Sequence, residues 1–252
     1  VWDNNGKISK WSTPATFQMG LLRPADWKAE WIEPGYAEDT VLRPSPLMRR
    51  QFNLTKKVSQ ATAYITAHGL YEAWLNGTRV GDACLTPGWT SYNKRLQYQV
   101  YDVTSQLKTG DNALGVILGS GWYRGNIGFS GQINVYGKDI ALLCQVDITY
   151  ADGTTESIVS DGTWKSSTGG IRYSEIYHGE IYDARMEKEG WTRPGYDDSE
   201  WSGVKVALHS KDVLMATQNE PVKRHETLAP LKILTTPKGE QVIDFGQNLV
   251  GR

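Results

Sequence analysis

Between residues 70 and 126 apolar and polar positions follow a strand pattern almost without interruption. Residues 70–75 (LYEAWL) send successive side chains to opposite faces, Asn76-Gly77 supplies the positive φ angles of a tight hairpin turn, and residues 78–80 begin the return strand. A second alternating run sets Leu96, Tyr98 and Val100 on one face and Gln97, Gln99 and Tyr101 on the other, which predicts a strand with one face in the core and one in water. Asp102-Val103-Thr104 leads into a short turn through Leu107, and the TGDN loop breaks it. Residues 113–118 then read as a continuous buried strand before the loop GSGWYRGN. The clearest strand is 140–150, with Ile140, Leu142, Cys144, Val146, Ile148 and Tyr150 facing inward. Asp152-Gly153 turns it into 154–159, and Asp161-Gly162 marks a further turn before a short strand at 163–166.

The flanks are patterned in the same way. Val1-Trp2-Asp3, a turn at Asn4-Asn5-Gly6, and strands at 8–11 and 16–19 around Pro14 predict the last hairpin of a β domain. Residues 26–32 open a new unit, and Arg43-Pro44-Ser45-Pro46 enforces an extended linker before a strand at 48–54. Residues 125–137 are rich in Gly and Asn and read as a long surface loop. After an extended stretch at 176–185, Pro194-Gly195 and Asp197-Asp198 form a loop capped by Trp201. Residues 223–234 run outward to a strand at 239–245 and a turn at 246–248. Short strands, close turns and no helical periodicity predict an all-β fold, a jelly-roll or β-sandwich.

With 252 residues the chain can bury more than one core, so several domains are expected. A formal net charge of -1 without a basic cluster argues against nucleic acid as a partner. No apolar run reaches the length of about 18 residues that a membrane-spanning helix needs, so no membrane partner is expected. Ten Trp and thirteen Tyr against four Phe favour flat rings with a polar edge, which suit both strand packing and the faces of sugars. Cys84 falls in a loop and Cys144 in a core strand, and two unpaired thiols are expected in preference to a disulfide. The chain opens at Val1 inside a strand, without a leader, as a piece of a longer protein would.

The candidate chemistry is sparse. His68, His178, His209 and His225 are scattered without HExxH or CxxC, which leaves zinc unsupported, and no GxSxG accompanies a Ser-His pair. Calcium stays open, because loop oxygens bind it without fixed spacing. A glycosidase needs two carboxylates facing one sugar about 5 to 9.5 Å apart. Glu180 and Asp183 are the tempting pair, but a separation of three puts them on opposite faces of a strand, and Asp197-Asp198 reads as a turn. A sugar site needs a ring face and hydroxyl partners. Trp122 or Tyr123 would supply the face, and Arg124, Asn126, Glu180 and Asp183 the hydrogen bonds. The alternative is structural: Trp122 and Tyr123 pack beneath their loop, and Arg124 or Arg185 is ion-paired to Glu180 or Asp183. Pro87-Gly88-Trp89 is expected to be a loop anchored by a buried indole.

The motifs LNGTRVGD (75–82), PGWTSYNKRLQYQVYDVT (87–104), GDNALGVILGSGWYRG (110–125), GEIYDARMEKEGW (179–191), PGYDDSEW (194–201) and DFGQNLVGR (244–252) resemble the N-terminal β-sandwich region of bacterial α-L-rhamnosidases of glycoside hydrolase family 78. The resemblance implies the end of a fibronectin type III-like module at 1–22, a central jelly-roll at 23–222, and the start of a following β-sandwich at 223–252. The family's catalytic acids belong to a downstream (α/α) barrel, of which this sequence has no trace. Hydrolysis of terminal α-L-rhamnose, by inversion, would then belong to the longer parent enzyme. This region would brace the barrel and hold rhamnose-containing carbohydrate, or serve purely as a scaffold. The family also includes a calcium-using rhamnose-binding module, and its glycan substrates imply an extracytoplasmic location.

Overall fold

The computed structural model of the protein describes residues 1–15, 17–128 and 131–248. Thr16, in the strand expected at 16–19, and the end of the DFGQNLVGR motif lie outside the described residues. Among the described residues, apart from one helical turn, α1 (Gly121–Arg124), and three short 3-10 turns, the regular structure is β. The strands are β1 (Trp31–Pro34), β2 (Pro46–Leu54), β3 (Val58–His68), β4 (Leu70–Leu75), β5 (Thr78–Arg79), β6 (Ala83–Cys84), β7 (Leu96–Asp102), β8 (Gly110–Gly119) and β9 (Ala141–Tyr150). There follow β10 (Thr155–Val159), β11 (Lys165–Thr168), β12 (Ile171–Glu175), β13 (Gly179–Tyr182), β14 (Ser202–Ala207), β15 (Leu214–Ala216), β16 (Val222–Lys223), β17 (Lys232–Thr235) and β18 (Gln241–Asp244).

Two layers face each other, one built on β7-β3-β9 and the other on β2-β8-β4. The corner between them is β14, which pairs with β1 through residues 204–207 and with β11 through Ser202 and Gly203. A strand that changes layer in this way lets one hydrogen-bonded path fold back over its own core. That core holds Met48, Ala63, Ile65, Tyr71, Leu75, Leu114, Val116 and Trp164. The six residues of 140–150 expected to point inward all lie in it. The Asn76-Gly77 turn forms as its residue types require, with φ of 55° and 82°. Beyond the turn itself, Asn76 binds inward: its amide donates to Gln106 O and Asn112 Oδ1, both at 2.8 Å, and accepts from Ala113 N at 2.9 Å.

The strand expected to be wet on one face is buried on both. A second cluster of Trp27, Trp31, Tyr64, Leu96, Tyr98, Tyr123, Ala141 and Leu143 covers the outer side of the β7-β3-β9 layer, so β3 and β9 are buried on both faces. On the other side of β7, Gln97 and Gln99 are buried as well. The 85–89 loop roofs them, with Gln99 donating to Pro87 O and to Thr217 Oγ1. Within the second cluster Gln145 is fully buried and stitches the 26–29 segment to β9, accepting from Lys28 N at 2.7 Å and Ala29 N at 3.2 Å. Both cysteines are free, and burial pushes the Cys144 thiol up to about 12, where it stays protonated and inert.

The buried apolar residues run from Trp27 to Trp201. Beyond them the Trp2–Ile8 bridge and the β17-β18 hairpin leave large apolar side chains exposed, among them Trp11, Ile233 and Ile243. The 191–198 loop is held by Arg49, whose side chain is 1% exposed. Its guanidinium pairs with Asp198, donates to Trp191 O at 2.9 Å and Arg193 O at 3.1 Å, and lies over the Tyr196 ring. Asp198 also pairs with Lys165 at 2.8 Å. Asp198 is thus half of a buried ion pair as well as a turn residue. Removing one partner of such a pair strands the other's hydrogen bonds. Arg49→Met keeps the aliphatic stem and is expected to cost about 3 kcal/mol of folding stability, read as a lower urea midpoint with an unchanged m-value.

Candidate functional site

The GWYRGN segment, expected as a loop, is a loop built around the turn α1. Gly121 takes φ 52°, and a Cβ there would lie 2.5 Å from Leu70 Cγ, so glycine is required on both counts. One helical turn divides the three large side chains. Tyr123 and Arg124 point inward, and Trp122 points out.

Tyr123 stacks on His68 with centroids 4.5 Å apart, and His68 stacks on Trp31 at 4.3 Å. His209 approaches the stack edge-on, 4.6 Å from His68, and its Nε2 lies 2.9 Å from Glu33 Oε1. Arg124 is 2% exposed, pairs with Glu38 at 2.7 Å and donates from Nε to Ser120 Oγ at 3.1 Å. Burial lowers its pKa, and Glu38 opposes that shift. Neither Tyr123 nor Arg124 is therefore presented to a ligand at the surface, and both act as anchors for the loop. The expected packing of Tyr123 beneath the loop is observed, and of the two arginines expected to pair with Glu180 or Asp183 it is Arg185 that does so, with Asp183, while Arg124 pairs with Glu38.

The remaining candidates do not converge. The half-buried Asn126 donates its backbone N–H to Glu175 Oε2 at 3.0 Å. Asp183 caps the 3-10 turn after β13, accepting from Arg185 N at 3.1 Å and from the Arg185 guanidinium at 2.8 and 2.7 Å. The Arg185 hydrogen bonds hold its pKa below the usual carboxylate range. Glu180 is exposed on β13 and lines two neighbouring grooves of about 250 and 480 Å3, the larger walled by Trp74, Tyr182 and Trp191. Trp122 lines a different groove with Trp89. Trp89 is not the buried anchor its loop suggested: it is 49% exposed and lies parallel to Trp122, centroids 5.6 Å apart. Asp183 is committed to Arg185, so the pair of Glu180 with Asp183 is not available for acid–base work on a sugar. Among the described residues no group of three or more His, Cys, Asp and Glu could hold a metal ion, and no helix is long and apolar enough to cross a membrane.

The family profile described as the alpha-L-rhamnosidase N-terminal domain matches residues 56–226. The chain belongs to this family. An alpha-L-rhamnosidase of Alteromonas sp. is 39% identical over 99% of the chain, which covers 28% of that relative. The solved alpha-L-rhamnosidase of Aspergillus terreus superposes with a TM-score of 0.91 at 40% identity, over 98% of this chain and 29% of that one. The Streptomyces avermitilis alpha-L-rhamnosidase, solved in complex with L-rhamnose, gives 0.75 at 44% identity, over 82% and 20%. This rhamnosidase N-terminal domain thus spans under a third of the length of these relatives.

The pairing of His68 with His209 in this domain was invisible along the chain, because strand contacts join residues far apart in sequence. Burial and the neighbouring His209 push the His68 pKa down to about 3, and His68 Nδ1 has no hydrogen-bond partner among the described residues. The folded-state pKa lies below the ordinary value of about 6.5, so below that pH the unfolded chain binds the proton more readily. The contribution of His68 is intact above pH 6.5 and is lost progressively as the pH falls toward 3. Between pH 7 and 5 wild type is expected to lose about 2 kcal/mol more stability than His68→Phe, measured by denaturant unfolding at both pH values.

Proposed function

We propose that this chain is the non-catalytic N-terminal portion of an enzyme that hydrolyses terminal α-L-rhamnose, that it braces the catalytic barrel, and that it holds rhamnose-containing carbohydrate. The observation that carries the reading is the match of almost the whole chain to α-L-rhamnosidases of which it spans less than a third. The state of Asp183 agrees with it: it is a turn cap paired with Arg185 and so is not a free partner for Glu180.

The bracing surface is assigned to the β12-β13 hairpin. Among the described residues these two strands form a two-stranded sheet of their own apart from the main sheet, and every residue of β13 is exposed. Tyr177, Ile181 and Tyr182 are about half exposed along it, and Met186 follows. An apolar edge of this kind on a two-stranded ribbon favours a protein partner, and the barrel of the same polypeptide is the one the reading supplies. The observation that favours sugar binding is the pair of parallel indoles, Trp89 half exposed and Trp122 partly buried beside it.

Two measurements test this reading. The 252-residue chain is expected to release no rhamnose from an aryl α-L-rhamnoside that the longer parent polypeptide cleaves, and release by the chain alone would overturn the proposal. In the parent, Ile181→Asp combined with Tyr177→Asp is expected to lower the melting temperature of the barrel by a few degrees. The same pair placed in the isolated chain should leave its melting temperature nearly unchanged, since both side chains face solvent there.

A further inference from the structure

Four residue pairs in this chain are of the types that cyclise most readily through the backbone: Asn5-Gly6, Asn76-Gly77, Asp152-Gly153 and Asp161-Gly162. Glycine has no Cβ to shield its amide nitrogen or to restrict the backbone, so that nitrogen can reach the side-chain carbonyl carbon of the residue before it. The reaction requires that side chain to be free to turn back on the chain. The four pairs differ in this freedom.

Three of them are held. The Asn76 amide donates to Gln106 O and Asn112 Oδ1 and accepts from Ala113 N, while the Gly77 N–H donates to Thr192 O at 3.0 Å. Both reacting groups are therefore committed inside the domain. Asp152 pairs with Lys56 Nζ at 2.8 Å and accepts from Thr154 N and Oγ1 at 3.0 and 2.6 Å. The bond from Lys56, followed by those from Thr154, holds its carboxyl well below the usual carboxylate range, and an ionised carboxylate is a poor target for an amide nitrogen. Asp161 accepts from Thr163 N and Oγ1 and pairs with Arg50 at 3.0 Å.

Asn5 is different. It is exposed, and among the described residues its side chain makes no hydrogen bond; its backbone N–H donates to Asp3 Oδ1 at 2.9 Å. The Gly6 N–H donates to Asp3 O at 2.9 Å, in a short ribbon bridged at Trp2 and Ile8, whose side chains are 70% and 67% exposed. A two-stranded ribbon without a covered face opens readily, and each opening releases the Gly6 nitrogen.

We propose that Asn5-Gly6 is a deamidation site, where the chain acquires an isoaspartyl residue that the fold prevents at Asn76-Gly77. The Gly6 nitrogen attacks Asn5 Cγ. The N–Cγ bond forms, the Cγ–Nδ2 bond breaks, and the displaced nitrogen leaves as ammonia with the Gly6 amide proton. Water then opens the cyclic imide at one carbonyl to give aspartate, or at the other to give isoaspartate, in which the backbone runs through the former side chain and gains one carbon. The net change is one water consumed and one ammonia released. The longer backbone breaks the spacing that the Gly6-to-Asp3 bond closes, and either product places a new carboxylate beside Asp3, which already accepts from Asn5 N and Lys7 N. In this exposed turn the isoaspartyl group is a substrate for a carboxyl methyltransferase of the isoaspartate-repair class. Nothing in this site draws on the carbohydrate or bracing roles proposed above.

The 252-residue chain is aged in mildly alkaline buffer beside a sample kept unfolded in guanidinium chloride. Peptide mapping by mass spectrometry follows the conversion of each pair, and methyl transfer by a protein isoaspartyl methyltransferase counts the isoaspartyl groups. In the folded chain position 5 is expected to convert at least tenfold faster than Asn76, Asp152 and Asp161, whereas in the unfolded sample Asn76 converts about as fast as Asn5. Asn5→Gln is expected to abolish methyl transfer to the aged folded chain at an unchanged melting temperature, because the larger ring forms slowly and the exposed amide supports no other residue. Conversion of Asn76 at a similar rate in the folded chain, an unmodified position 5, or methyl transfer that survives Asn5→Gln would overturn the proposal. So would an Asn76 that stays unmodified when unfolded, since its resistance would then owe nothing to the fold.

Discussion

Everything in this chain hangs on the pairing of β3 with β9, two long strands buried on both faces. Their ladder runs from Val58↔Tyr150 to His68↔Ala141 with one irregularity near its start. An antiparallel pair normally keeps one face wet. Here one face meets the β2-β8-β4 layer and the other meets a layer of aromatic rings contributed by segments with little regular structure. The second layer explains the excess of Trp and Tyr over Phe. Rings at its edge need a polar atom that reaches backbone or solvent, as Tyr98 does in donating to Leu21 O at 2.6 Å. Because the strands are covered twice, segments as distant as 26–31, 92–98 and 207–216 are tied to one surface. The loops that leave that surface inherit its rigidity.

The consequence for α1 is specific. His68 is the last residue of β3, so the stack of Trp31, His68 and Tyr123 ends a strand and begins a loop. The Arg124–Glu38 pair then fixes the other side of the same turn. An ion pair with one partner this deeply buried adds little net stability by itself, because desolvation offsets its attraction, but loss of either partner leaves a stranded charge. It therefore specifies one orientation of the turn. With two of three consecutive large side chains turned inward, Trp122 has only the outward direction left, and it meets Trp89 there. A tryptophan pair of which one ring is half exposed and the other partly buried is pre-organised by its buried neighbours, and a ligand that uses it would not have to order the loop.

Much of this could be read from the chain. The Asn-Gly hairpin, the inward face of 140–150 and the all-β class each follow from local periodicity or from the φ requirements of a turn, and such rules operate within a few residues. What escaped has a common cause. The wet face assigned to β7 was a sound inference from glutamines in alternation, but polarity marks hydrogen-bonding need and not exposure. Gln97 and Gln99 sit beneath a loop that the pattern could not position. Trp89 went the other way, since an indole next to Pro-Gly is often an anchor, and here its stacking partner is itself at the surface. The contacts of His68 with His209, and of Arg49 with Asp198, span more than a hundred positions and are fixed by strand order alone.

The motif residues sort by what their side chains already do. In GEIYDAR, Asp183 and Arg185 satisfy each other and a backbone N–H within one turn, so this motif encodes the end of a hairpin and needs no ligand to account for it. In GWYRGN, Tyr123 and Arg124 are accounted for by packing and by Glu38. Family resemblance carried by such residues is evidence for the fold they build, and it carries over to ligand chemistry only where a polar atom is left over. Asn76, Gln99 and Gln145 are amides whose hydrogen bonds close inside the molecule. Gln97, two residues from Gln99 on the same face of the same strand, lines the groove walled by tryptophan and has a buried oxygen that closes with nothing among the described residues. The difference between two like residues in nearly the same setting is where the structure departs from what stability alone requires, and departures of that kind are where function is to be sought.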